Sequence, residues 1–174
     1  SDEPALLAIG MQLATQEDLQ RAAQIAGASP IRALERPGGG SFVEVTMPGG
    51  LTLELVHGAQ DVPPLPVEPP LPMNHGYAKS RVNTPQRPKR ARSEVLRLGH
   101  VALGLPDPVA ARDWAMKNLG MIVSDEMLVP GETDKYVGFF MRCDLGSTPS
   151  DHHTLLIAQG DRAGAHHISF ELQD

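Results

Sequence analysis

Apolar and polar positions along this chain fall into short blocks, and the blocks come twice in the same order. Residues 5–13, ALLAIGMQL, have the apolar content of a buried strand. Thr15 then opens TQEDLQRAAQIAG, with acids in its first turn and Gly27 at its close, which predicts a capped amphipathic helix. IRALER, SFVEVTM and LTLELVHG, separated by PGGG and PGG turns, predict three successive antiparallel strands. The first unit therefore reads βαβββ. Further on, LRLGHVALGL is a strand, DPVAARDWAMKNLG a helix with Pro108 early and Gly120 at its end, and MIVSDEML, YVGFFMRCD and HHTLLIAQG three more strands. AHHISFELQD then opens like the strand that begins each unit. The pattern predicts an α+β protein of repeated βαβββ modules.

Between the units, residues 59–94 are rich in proline and lack a sustained period, so they read as a linker. Its basic cluster, Arg87, Lys89, Arg90 and Arg92, reads as a solvated connector, and His75 and Tyr77 receive no role. The expected organisation is a first module over 1–58, the linker over 59–94, a second module over 95–160 and the first strand of a further, truncated module over 161–174.

Aligning the units makes their histidines informative. HVALGL (100–105), HISFEL (167–172) and AIGMQL (8–13) share one apolar pattern, so His100, His167 and Ala8 fall at one structural position. TLELVHG (52–58) likewise matches TLLIAQG (154–160), which sets Glu54 against Leu156. Imidazoles at the mouth of an apolar strand are costly unless partnered, so the pairs His152–His153 and His166–His167 point to a site. Trp114, Phe139 and Phe140 read as packing residues and Cys143 as a small buried hydrophobe.

Composition narrows the classes. The chain has 174 residues, 41% hydrophobic and 21% charged, which is ordinary globular material. A net charge of −6 argues against a nucleic-acid or anionic-membrane surface. One cysteine permits no internal disulfide and fits a reducing, cytoplasmic setting. No apolar run reaches the length needed to span a bilayer. The opening Ser1-Asp2-Glu3, without methionine, reads as the start of a processed or excised segment.

Taken together, LGHVALGLPD, LGMIVSDEM, FFMRCDLG, DHHTLLIA and HHISFEL resemble the vicinal oxygen chelate superfamily, and within it the type I extradiol ring-cleaving dioxygenases. The resemblance implies a non-haem iron(II) site of two histidines and one carboxylate, with manganese(II) as the alternative metal. Carried over by motif, His100 and His167 are the metal ligands and His153 the acid/base beside them, with His152 and His166 as neighbours. The substrates implied are a catechol-like small molecule and dioxygen, cleaved next to the two hydroxyls by a homo-oligomer, with no nucleic-acid or membrane partner. The first module then belongs to a non-catalytic domain, with Ala8 at the histidine position and Glu54 as a structural carboxylate. The glutamate that completes the metal triad falls beyond this segment, so the chain alone is expected to be inactive. The alternatives are a glyoxalase-type metal-dependent isomerase, which needs two carboxylates, and a binding protein of the same fold.

Overall fold

The structure is a computed structural model that describes residues 6–67, 69, 71–83, 87 and 92–172. Ser1-Asp2-Glu3 and, in the basic cluster, Lys89 and Arg90 lie outside the described residues, while Arg87 and Arg92 are exposed.

The elements follow the order of the hydrophobic blocks: β1 (Ile9–Gln12), α1 (Gln16–Ala22), β2 (Arg32–Ala33), β3 (Ser41–Thr46), β4 (Thr52–His57), β5 (Val95–Leu105), α2 (Pro108–Leu119), β6 (Met121–Leu128), β7 (Tyr136–Cys143), β8 (Leu155–Gln159) and β9 (Gly164–Leu172). They build a four-stranded sheet in the order β1-β4-β3-β2 and a five-stranded sheet in the order β6-β7-β8-β5-β9. In the first, β1 runs parallel to β4 and the other pairs are antiparallel. The second repeats that plan, with β5 parallel to β8.

Two local devices set the helices. Thr15 caps α1 through a reciprocal capping box with Asp18, whose carboxyl is held below the usual carboxylate range chiefly by the Thr15 hydroxyl. The helix stops at Ala22, short of the expected Gly27, because after one buried turn (Leu19, Ala22) the chain passes through successive turns to reach β2. At α2, Asp107 accepts from the Ala110 N–H, Pro108 occupies the first turn, and Gly120 ends the helix in the left-handed conformation (φ 65°).

By contact density the chain divides into two compact units, residues 1–62 with 100–168 and residues 63–99 with 169–174. The first holds the core. Val101, Leu103 and Leu105 of β5, Leu155 and Ile157 of β8, and Phe139 and Met141 of β7 share one face of the second sheet, on which α2 lays Ala111 and Ala115. Each large side chain so buried contributes roughly 1.5–3 kcal/mol. The same apolar cluster continues through Leu19, Val43, Val45, Leu53 and Leu55 of the first module. In the second unit, an ion pair joins Arg97 to Glu171, and His75 and Ala78 form an isolated backbone bridge beside the fully exposed Tyr77. No helix among the described residues is long and apolar enough to cross a membrane.

Candidate metal centre

Because strand side chains alternate, residues next to the core positions project to the opposite face of the second sheet. His100 of β5 projects there, one step before the core residue Val101. His167 of the neighbouring β9 meets it with 3.0 Å between the two Nε2 atoms, the rings lying edge-on at a centroid distance of 5.2 Å. For His100 and Ala8 the ladders give the sequence alignment a backbone basis. Ile9 pairs with Leu53 as Val101 pairs with Leu155, so Ala8 precedes its ladder just as His100 precedes its own.

His153 completes the cluster from a different kind of position. The expected strand HHTLLIAQG begins only at Leu155, leaving His152 and His153 in the segment that leads into β8. The Thr154 N–H donates to the Met141 carbonyl (2.9 Å) and the Val101 N–H to the Thr154 carbonyl (3.1 Å), so regular pairing starts there. The apolar run that follows sets the register, and the histidines are released from the pleat. The His153 ring then lies 4.3 Å from the His100 ring and 4.9 Å from that of Phe140. Burial, then the charges of His100, His152 and His167, holds the His153 imidazole below the usual histidine pKa, with Asp151 acting in the opposite sense.

His152 and His166 stand outside this trio. Each contacts its sequence neighbour through Nδ1, at 3.1 Å to His153 and 2.8 Å to His167, and both are exposed. Phe140 departs from its expected packing role. It is half-buried on the face opposite the core, against His152 and His153, while Phe139 beside it is fully buried in the core. Cys143 ends β7 and is partly exposed rather than buried, 4.0 Å from the Thr154 hydroxyl.

The donor chemistry fits part of a metal site. Two imidazole nitrogens bound at right angles to one ion, each at about 2.1 Å, stand about 3.0 Å apart. The Nε2 separation of His100 and His167 matches that spacing. Among the described residues no group of three or more His, Cys, Asp or Glu side chains is placed to hold a metal ion, so these two nitrogens have no third protein donor there.

The matching face of the first module has another character. Glu44 and Glu54, register partners on β3 and β4, are ion-paired to Arg32 and Arg36 respectively. They border an open cleft of about 390 Å³ that also meets Ala8, Ser29, Thr46 and Thr52. Among the described residues no histidine lines it.

No family model and no curated protein sequence matches the chain. Solved structures do. A Mn(II)-bound glyoxalase from Novosphingobium aromaticivorans superposes with a TM-score of 0.68 at 21% identity, over 98% of this chain and 47% of that one. The 2,3-dioxygenase LapB from a Pseudomonas species gives 0.67 at 20% identity, over 98% and 55%. A 2,2',3-trihydroxybiphenyl 1,2-dioxygenase from Sphingomonas wittichii gives 0.60 at 18% identity, over 99% and 55%. The chain therefore has the mixed α+β fold of the vicinal oxygen chelate proteins, shared by glyoxalases and extradiol catechol dioxygenases. It spans about half the length of these structures.

Proposed function

We propose that this chain carries most of the metal site of a non-haem iron(II) extradiol dioxygenase, which cleaves a catecholic ring next to its two hydroxyls. The observation that carries the reading is the convergence of His100 Nε2 and His167 Nε2 at 3.0 Å, with the His153 ring against His100. His100 and His167 are the ligands, and iron(II), or manganese(II) in its place, supplies Lewis-acid binding of the diol oxygens and reactivity toward dioxygen. His153 is the acid/base: with its pKa lowered, it is neutral near pH 7 and free to accept a proton from a diol hydroxyl. Phe140 provides an apolar wall beside it that limits water at the proton-transfer position.

The glyoxalase reading is favoured by the similarity to the manganese-bound structure. It needs two carboxylate ligands, and the pleat where the first module carries Glu44 and Glu54 carries Phe140 and Leu156 in the second. A pleat with Phe140 and Leu156 in place of carboxylates supports diol cleavage instead. The working protein is read as a cytoplasmic homo-oligomer. By itself the 174-residue chain, with two imidazoles and no third donor among its described residues, is expected to bind iron weakly and to lack activity.

The test is metal content and catechol turnover of the full-length protein loaded anaerobically with iron(II). His153→Ala is expected to keep its iron and lose about 10²- to 10⁴-fold in turnover. His100→Ala and His167→Ala are expected to lose the metal. Wild-type turnover in His153→Ala, or stoichiometric iron in His167→Ala, would overturn the assignment.

A further inference from the structure

Among the described residues Arg142 has no carboxylate partner, and it stands on the face of the second sheet opposite the core. Phe139 and Met141 point into the core with no exposed surface, so Phe140 and Arg142 project together to the other side. Arg142 is part-buried there, and its guanidinium donates to the Ser124 hydroxyl. Ser124 is the extra residue of a β-bulge: Val123 pairs with Met141 and Asp125 with Phe140, leaving Ser124 between them. Bulges re-aim side chains, and this one supplies the anchor that fixes the guanidinium.

The other arginines are arranged differently. Arg21, Arg32, Arg36, Arg97 and Arg112 each hold a carboxylate, and the remaining described arginines are exposed. Arg142 alone among the described residues is part-buried with only a neutral partner. Withdrawing a guanidinium from water is costly until an anion meets it.

Its position says where that anion belongs. Met141, Leu155 and Val101 are aligned across β7, β8 and β5. One step along these strands come Arg142, Thr154 and His100, and the His100 ring meets that of His167 from β9. Arg142 thus lies two strands from His100, roughly 10 Å between backbones. A ring held at His100 and His167 and lying over β8 crosses Thr154 before it reaches the guanidinium, with Leu156 and Phe140 forming the next row on the same face.

We infer that Arg142 binds an anionic group of the substrate, so that the preferred diol carries a carboxylate on the side away from its hydroxyls. This rests on the reading of His100 and His167 as the metal end of the site, and the test separates the two. Metal-loaded full-length protein is titrated with 3,4-dihydroxybenzoate and with 4-methylcatechol, which has a similar outline without the charge. Metal-free protein is titrated with benzoate.

Wild type is expected to prefer the carboxylated diol by about 10- to 100-fold, the worth of a charge-assisted hydrogen bond. Arg142→Met should bring the ratio near one and abolish benzoate binding, and Arg142→Lys should keep part of the preference. Ser124→Ala, which keeps the charge and removes its anchor, should lower the ratio by less. Circular dichroism checks the fold of each variant, and if Arg142→Met does not fold, the lysine and Ser124 variants carry the test. A ratio near one in wild type, or one unmoved by these changes, overturns the inference while leaving the metal reading intact. If neither diol binds and benzoate binding still needs Arg142, the metal reading fails and the anion subsite stands. No binding of any of the three compounds overturns both.

Discussion

Phe140 pairs with Leu156 across β7 and β8 at the pleat where, in the first module, Glu44 pairs with Glu54 across β3 and β4. One fold thus presents an apolar pair at this pleat in one module and a carboxylate pair in the other. Like charges directly opposite each other destabilise a sheet. Arg32 and Arg36 neutralise them, which makes the first face a closed set of ion pairs rather than a set of free ligands.

Removing one partner of the better buried pair should therefore cost stability without touching the metal. Glu54 is 15% exposed and Arg36 56%, so solvent screens part of the interaction. Glu54→Gln is expected to lower unfolding free energy by about 1–2 kcal/mol in urea titrations, with iron content unchanged. A loss of iron would place Glu54 in the metal site.

The pH dependence of stability should carry the mark of His153. Its native pKa is depressed by burial and neighbouring imidazoles, so on acidification the unfolded chain takes up a proton before the native one does. Stability contributed by the neutral ring is then present above the unfolded value of about 6.5 and falls as pH drops through it, levelling off below the native pKa. Urea midpoints of the metal-free protein between pH 8 and 5.5 should decline, and His153→Phe should flatten that decline. An equal slope in both proteins would refute the shift.

Neighbouring phenylalanines should separate packing from function. Phe139 is fully buried, and Phe139→Ala should cost about 3–5 kcal/mol in denaturant unfolding. Phe140→Ala removes a half-buried ring from the His153 wall, and should cost less stability while weakening diol binding. The reverse order of stability losses would mean that the two faces have been exchanged.

At the first helix, Thr15→Ala removes the hydroxyl that accepts from the Asp18 N–H and leaves the Thr15 backbone N–H donation to the Asp18 carboxylate. The expected loss is about 1 kcal/mol, read as a lower thermal midpoint. Asp18→Ala should also lower the midpoint near neutral pH and converge with wild type in acid, where protonation of Asp18 weakens the same contact.

The sequence by itself determined the order of strands and helices, because apolar periodicity, the Thr15 cap, Pro108 and Gly120 are local signals. It also placed His100 and Ala8 at one repeated position, since a duplicated module keeps its register and register is written in the alternation. Tertiary structure decided the rest. Alternation says which residues share a face but not where a ladder begins, so only the pairing of Thr154 with Met141 and Val101 showed that His153 sits ahead of β8. Nor does it reveal a bulge: Ser124 breaks the period of β6, and its contact with Arg142 forms across a separation along the chain that no local pattern reports. Phe139 and Phe140 are the same residue type in adjacent places, and the helix that covers one face of their sheet is what made the first a core residue and the second part of the site.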